Sequence, residues 1–247
     1  DVSQDEGTSN FEHLVADGTP VEVVVKDDND TTTVQITTSD VLEGSESVVF
    51  DIQLSNKPDP SYEGATTVQV KVGETIHDVT VDADGHGTLT VPNPNGEDAY
   101  KDGSSITATV TGVTGGNYEK VETGQSATAN ITDTIDKTTV ALSATAVVDG
   151  QYSLTVTVDN APKSDLELTL SNDQTITIKA GETSVTQPYD YVPGQDMDIS
   201  VTGVAGQTDT NEDSKISYEE AGEGFYETLD FSEASVSLDI QTGGAVT

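Results

Sequence analysis

The chain has 247 residues, with 45 Asp and Glu against 9 Lys and Arg, for a formal net charge of −36. Such a surface excludes a reader of the nucleic-acid phosphate backbone and disfavours an anionic membrane face, and it repels itself unless bound calcium or a saline medium neutralises part of it. Cysteine is absent, so no disulfide framework, thiolate nucleophile or zinc–thiolate site exists.

Residues 1–30 carry two short signals, Asn10-Phe11-Glu12 and Asp27-Asp28-Asn29-Asp30. Both return later, which makes this stretch either the C-terminal strands of a preceding repeat or an edge strand of the first unit. From Thr31 onward, short segments alternate apolar and polar residues with period two. They include Val68, Val70 and Val72; Ile106, Ala108 and Val110; Leu154, Val156 and Val158; Leu166, Leu168 and Leu170; and Val236 with Leu238. Turn signals separate them: Asn95-Gly96, Asp102-Gly103, Gly115-Gly116 and Asp149-Gly150. His86, in the turn 82–87, reads as part of a hairpin. About seven short strands per roughly 100 residues is the pattern of an immunoglobulin-like β-sandwich. The expected fold is all-β: tandem immunoglobulin-like β-sandwich domains in a linear array, one over 31–136 and a divergent one over 137–247. No apolar run approaches the length of a membrane span, and no basic-then-apolar start resembles a signal peptide. The chain therefore reads as a soluble interior piece of something longer.

Internal repetition supports that division. The aromatic-Glu pairs Phe11-Glu12, Tyr118-Glu119 and Tyr226-Glu227 lie 107 and 108 residues apart, and Val34 precedes Val140 by 106. A period of this size means whole small domains strung end to end rather than solenoid turns.

The acids cluster in phase with the period. Asp27, Asp28 and Asp30, then Asp133 and Asp136, sit where one unit hands over to the next, and Glu43 and Asp149 lie in the first loops after those junctions. Calcium (Ca2+) takes six to eight hard oxygen ligands, and a linker facing two loop ends can supply them. Bound metal there would lock the interdomain angle. A second pattern spans 209–220. Asp209, Asn211, Asp213, Lys215 through its carbonyl, Ser217 and Glu220 occupy the ligand positions of an EF-hand loop, with Ile216 expected to pin it to the core. Ser214 stands where that pattern has glycine at positive φ. The loop arrives as an insertion: Gly112 to Tyr118 spans six residues, the matching Gly203 to Tyr226 spans 23. A single acidic residue is ordinarily a solvated turn residue, so recurrence in phase and the twelve-position spacing are what carry these expectations.

Material for catalysis is poor. His13, His77 and His86 are scattered, and aromatics make up only 5% of the chain. We expect no enzyme. Tyr62, Tyr100, Tyr118 and Tyr226 are expected to be core or corner aromatics of the sandwiches.

Val41 to Gly44, Leu54 to Asn56, the loop Glu97 to Gly103, Val113 to Glu119 and Ile131 to Val140 resemble the tandem immunoglobulin-like repeats of giant RTX-type adhesins. These are type I-secreted surface proteins of Gram-negative bacteria, including biofilm-forming and ice-binding adhesins. The resemblance covers essentially the whole chain. It implies an extracellular, monomeric extender at the cell surface whose junction calcium stiffens a stalk, with neighbouring repeats as partners and Asp133, Asp136, Asp27, Asp28 and Asp30 as junction ligands. The glycine-rich calcium nonapeptides of such proteins are missing from this stretch. The second unit departs from the first by lacking the loop Glu97 to Gly103. An alternative is that this divergent unit itself binds a surface glycan or peptide.

Overall fold

The computed structural model describes residues 18–20, 22–26 and 28–240. Within residues 18–30 the described positions form no strand, and Val23, Val24 and Val25 are exposed. From Thr31 onward the described chain is all-β. Its first nine strands are β1 (Thr31–Thr38), β2 (Val41–Leu42), β3 (Ser47–Leu54), β4 (Thr67–Val72), β5 (Thr75–Thr80), β6 (His86–Pro92), β7 (Ser104–Thr114), β8 (Lys120–Glu122) and β9 (Ser126–Thr132). They form two sheets, ordered β6-β3-β1-β8 and β2-β9-β7-β4-β5. Nine more follow: β10 (Lys137–Ala144), β11 (Gln151–Val158), β12 (Leu166–Leu170), β13 (Thr175–Ile178), β14 (Ser184–Asp190), β15 (Asp198–Val204), β16 (Lys215–Ile216), β17 (Thr228–Asp230) and β18 (Ser235–Ser237). These build the sheets β14-β11-β10-β17-β16 and β13-β12-β15-β18. The expected tandem β-sandwich architecture is present.

Period-two alternation creates each core. Along β3 the inward Val48, Phe50, Ile52 and Leu54 are buried while Val49, Asp51 and Gln53 face solvent. Leu166, Leu168 and Leu170 do the same on β12. One apolar cluster joins Val34, Phe50, Ile52, Val68, Val70 and Val110; a second joins Leu154, Val156, Leu168, Ile178, Ile199, Leu229 and Tyr226. In each unit the first long strand pairs in parallel with a short strand that follows the aromatic-Glu pair: β1 with β8, and β10 with β17.

Two sequence expectations change. The turn 82–87 is tight, with Asp82 N–H donating to the His86 carbonyl at 2.8 Å, yet it is not a hairpin. β5 lies in one sheet and β6 in the other, so the turn crosses between layers. A local turn signature specifies reversal of the chain but not which neighbour the outgoing strand pairs with. Tyr100 is not a core residue of its own unit either. It packs against the core of the second unit, because the loop that carries it leaves the first sandwich and lies on the next.

Candidate metal centre at the joint between the units

The loop 97–103 adds itself to the second unit as a strand would. Tyr100 and Tyr226 form an antiparallel bridge. Lys101 N–H donates to the Phe225 carbonyl at 2.8 Å, Gly224 N–H to the Lys101 carbonyl at 2.7 Å, and Glu227 N–H to the Ala99 carbonyl at 3.0 Å. The Tyr100 ring stacks on Tyr226 with centroids 5.4 Å apart, and its hydroxyl donates to the Ala161 carbonyl. Lys101 Nζ donates to the carbonyls of Tyr218 and Ala221 and lies over the Tyr218 ring. Lys163 answers from the second unit, reaching Asp98 at 3.4 Å and Asp102 at 2.7 Å. Main-chain pairing fixes register here and the aromatic pair supplies apolar contact. Tyr100→Ala is expected to detach the loop, which faster proteolytic cleavage within 97–103 would register, while the first unit's own melting is unchanged.

This docking gathers a cluster of carboxylates. Glu43, after β2, is 2% exposed and Glu227, before β17, is 0% exposed. Asp133 follows β9, and Asp102 comes from the docked loop. Oxygens of Glu43, Asp102 and Asp133 all lie within 4.8 Å of one another, the one such acidic triad among the described residues. Three of these acids share a pattern. Glu43 Oε1 accepts from Thr134 N–H at 2.8 Å, Asp133 Oδ2 from the Tyr218 hydroxyl at 3.0 Å, and Glu227 Oε2 from Asp136 N–H at 2.6 Å. The other oxygen of each, Glu43 Oε2, Asp133 Oδ1 and Glu227 Oε1, is buried with no partner. Leaving one buried acceptor unpaired costs about 1–3 kcal/mol, more when charged, and either a proton shared between Glu227 and Glu43 or a bound cation relieves that cost. Gly44 explains part of the fit: at φ +68° it sits under Glu97, and a Cβ there would approach Glu97 Oε2 to 2.5 Å.

The electrostatics agree. Burial, then a side-chain hydrogen bond to Glu43 and the charges of Glu43 and Asp133, push the Glu227 carboxyl up to about 7 from 4.5, and burial raises Glu43. Lys163 holds Asp102 below the usual carboxylate range, and burial with the Asp133 hydrogen bond pushes the Tyr218 phenol up to about 12. An acid whose folded pKa lies above its unfolded value binds its proton more tightly in the native state. Without a cation, the joint is therefore expected to lose stability as pH rises from 4.5 to about 7 and to level off above. Melting curves in EDTA across that window check this, and saturating calcium should flatten the slope. Several hard carboxylate oxygens, some from each unit, match the donor set of calcium.

The other anticipated ligands fall into three groups. Asp27 lies outside the described residues. Asp28 and Asp30 are exposed, and Asp30 contributes its N–H to Glu119, as Asp136 does to Glu227. Asp136 thus enters the joint through its backbone, its carboxylate lying outside the triad. Asp149 is exposed in a turn at φ +52°, also outside it. Sequence reasoning missed Asp102, Glu227, Tyr218 and the docking role of Tyr100. Glu227 had a signal, since it belongs to the aromatic-Glu pair that recurs in phase.

The loop 209–220 has its own order. Ser214 adopts φ +61°, the left-handed conformation that position calls for. Asp209 Oδ2 accepts from Ser214 N–H at 2.9 Å and Asp209 Oδ1 from Asp213 N–H at 3.3 Å. Glu220 accepts from Ser217 and Thr210 through both oxygens, which pull its carboxyl down to about 2 and keep it anionic. Lys215 and Ile216 form β16 against β17, Ile216 is 1% exposed, and Phe231 N–H donates to the Ser214 carbonyl at 3.0 Å. Asn211 is exposed. Asp209 and Glu220 are engaged in these internal bonds, and among the described residues no three acids of the loop converge as the joint acids do.

The LapA domain family model matches the chain twice, over residues 30–134 and 136–242. No curated protein matches. Among solved structures, an Escherichia coli alpha-2-macroglobulin activated by porcine elastase is 13% identical, with 87% of this chain and 22% of that one covered and a TM-score of 0.27. A 1.5-MDa bacterial ice-binding adhesin, studied for host cell surface retention, is 12% identical, with 87% and 67% covered and a TM-score of 0.28. The chain spans about a fifth of the former, and likenesses at these scores carry no argument. Among the described residues no helix is long and apolar enough to cross a membrane.

Proposed function

The chain belongs to the LapA domain family in both of its units, and on that premise we propose that it is a calcium-stiffened extender segment of a large bacterial surface adhesin. Its units, 31–136 and 137–247, are repeats in an array that projects ligand-binding domains outward from the cell for adhesion or biofilm formation. The observation that carries this reading is the carboxylate cluster at the joint: Glu43 and Asp133 of the first unit and Glu227 of the second, each with one buried oxygen unpartnered. Glu43, Asp102, Asp133 and Glu227 would hold the ion. It would supply positive charge to offset these acids beyond what Lys163 gives Asp102 and would link residues of the two units. The chain's own residues do the rest. Tyr100 and Lys101 hold the units in register, Tyr218 and Thr134 orient the acids, and Lys163 pairs with Asp98 and Asp102, offsetting one of their two charges.

A second calcium position in the loop 209–220 is part of the same proposal, supported by the positive φ of Ser214 and the anchoring of Ile216. Asp213→Ala with Glu220→Ala is expected to remove one binding event by titration calorimetry while leaving the first unit's melting unchanged; an unaltered stoichiometry overturns the assignment. For the whole reading, thermal melting and small-angle scattering in calcium, EDTA and matched sodium chloride decide. Millimolar calcium should raise the melting temperature and lengthen the particle where sodium does not. Equal effects of the two salts would reduce the acidity to general charge screening.

A further inference from the structure

The seat that receives Tyr100 in the second unit is built in the first unit as well. There Tyr118 stands for Tyr226 and donates to the Asn56 carbonyl at 3.2 Å, as Tyr226 does to the Asn160 carbonyl at 2.7 Å. The Asn56 side chain donates to Thr32 Oγ1, as Asn160 does to Thr138 Oγ1. Glu119 accepts from Asp30 N–H, as Glu227 does from Asp136 N–H. Gly116 at φ +75° and Gly224 at φ +76° give the two straps the same backbone turn. What differs is the covering. Tyr226 and Glu227 are buried beneath the docked loop, whereas Tyr118 is half-buried and Glu119 exposed. Gly116 N–H, Asn117 C=O and Glu119 N–H, the counterparts of the three groups that pair with Ala99 and Lys101, take no partner from another unit among the described residues.

We propose that this strap, residues 116–119, is the docking edge for the loop of a preceding repeat with the chemistry of Glu97 to Gly103, an extended Ala-Tyr-Lys segment flanked by acids. The proposal rests on the reading of the chain as part of an array, and it names the surface through which the preceding unit joins. The incoming tyrosine stacks on Tyr118 and gives its hydroxyl to the Lys57 carbonyl, the counterpart of Ala161. Tyr62 does not fill the place. Its ring lies over Gly115, within 2.8 Å of where a Cβ would stand, and Tyr118 has no ring partner among the described residues. One contact must differ between the two seats. Asp59 stands where the second unit has Lys163, so the cation that meets the loop's acids is Lys57, whose side chain is 71% exposed and paired with Asp84. Edge addition gives affinity through the main chain, and the aromatic and charged contacts give selectivity.

The test inserts a second copy of residues 31–136, marked by Thr114→Ser so that its peptides differ in mass, between Asp30 and Thr31 of the full chain and follows amide hydrogen exchange of the original segment 113–121 by mass spectrometry. Exchange there should slow by about tenfold or more relative to the 247-residue chain, approaching that of 221–229. A Tyr100→Ala change confined to the added copy should remove that protection, and since Tyr100 packs outside its own core the added copy still folds. Three results overturn the proposal: no slowing, slowing that survives Tyr100→Ala, or strap protection already equal to that of 221–229 in the 247-residue chain, which would mean that another segment of this chain fills the seat. Each arm is run with calcium and with EDTA. Tyr100-dependent protection indifferent to calcium upholds the docking edge and defeats the calcium reading, whereas calcium-dependent lengthening without strap protection does the reverse.

Discussion

Glu43→Gln combined with Asp133→Asn is expected to reverse the order of stabilities with and without calcium. In EDTA the double variant should be the more stable protein. Glu43 is buried and Asp133 half-buried, both lie beside Glu227, and each carries an unpartnered buried oxygen. Removing two like charges from such a site relieves repulsion and desolvation together. In calcium the order inverts, because the wild type gains the binding free energy, about 2.7 kcal/mol at one hundred times the Kd, and the variant does not. One binding event should disappear from calorimetry, and the calcium-dependent lengthening in scattering should go with it. A variant that is less stable than the wild type in EDTA as well would mean that the two acids serve the fold rather than a cation.

Tyr226→Ala is expected to cost the second unit about 3–5 kcal/mol, the range for truncating a buried aromatic side chain. Tyr226 is 1% exposed, stacks on Tyr100, meets Phe225 edge-on at 5.3 Å and donates to the Asn160 carbonyl at 2.7 Å. It is thus a core residue of one sandwich and the floor of the joint at once. Calorimetry should show the second unit's transition falling steeply while that of the first stays in place. Calcium should also bind more weakly, since Glu227 is the next residue. Tyr226→Phe keeps the ring contacts and should cost only about 1 kcal/mol for the hydroxyl bond. Equal losses in the two variants would sink the argument from ring packing.

The two units were legible because their information is local and repeated. Alternation along β3 and β12 declares which face is buried, and the return of Val34 as Val140 and of Tyr118 as Tyr226 declares the period. In the loop 209–220 the left-handed turn was legible for a related reason: the twelve-position pattern puts a positive φ at the place taken by Ser214. The joint was only half legible. Glu43 and Asp133 were named from their phase, but Asp136 enters through its amide and Asp149 stays in an exposed turn.

By itself, then, the amino-acid sequence determined the sandwich class, the division into units and the acid-rich character of the junction, because period-two burial and near-106-residue recurrence are properties of neighbours along the chain. Only the tertiary structure decided that the turn 82–87 crosses between sheets, that Tyr100 packs against the next unit's core, and that Asp102 and Glu227, 125 positions apart, join one cluster with Glu43 and Asp133. Those facts depend on which surfaces meet when one folded unit lies against another. Residues brought together in that way share neither a strand nor a turn, so no pattern along the chain records their contact.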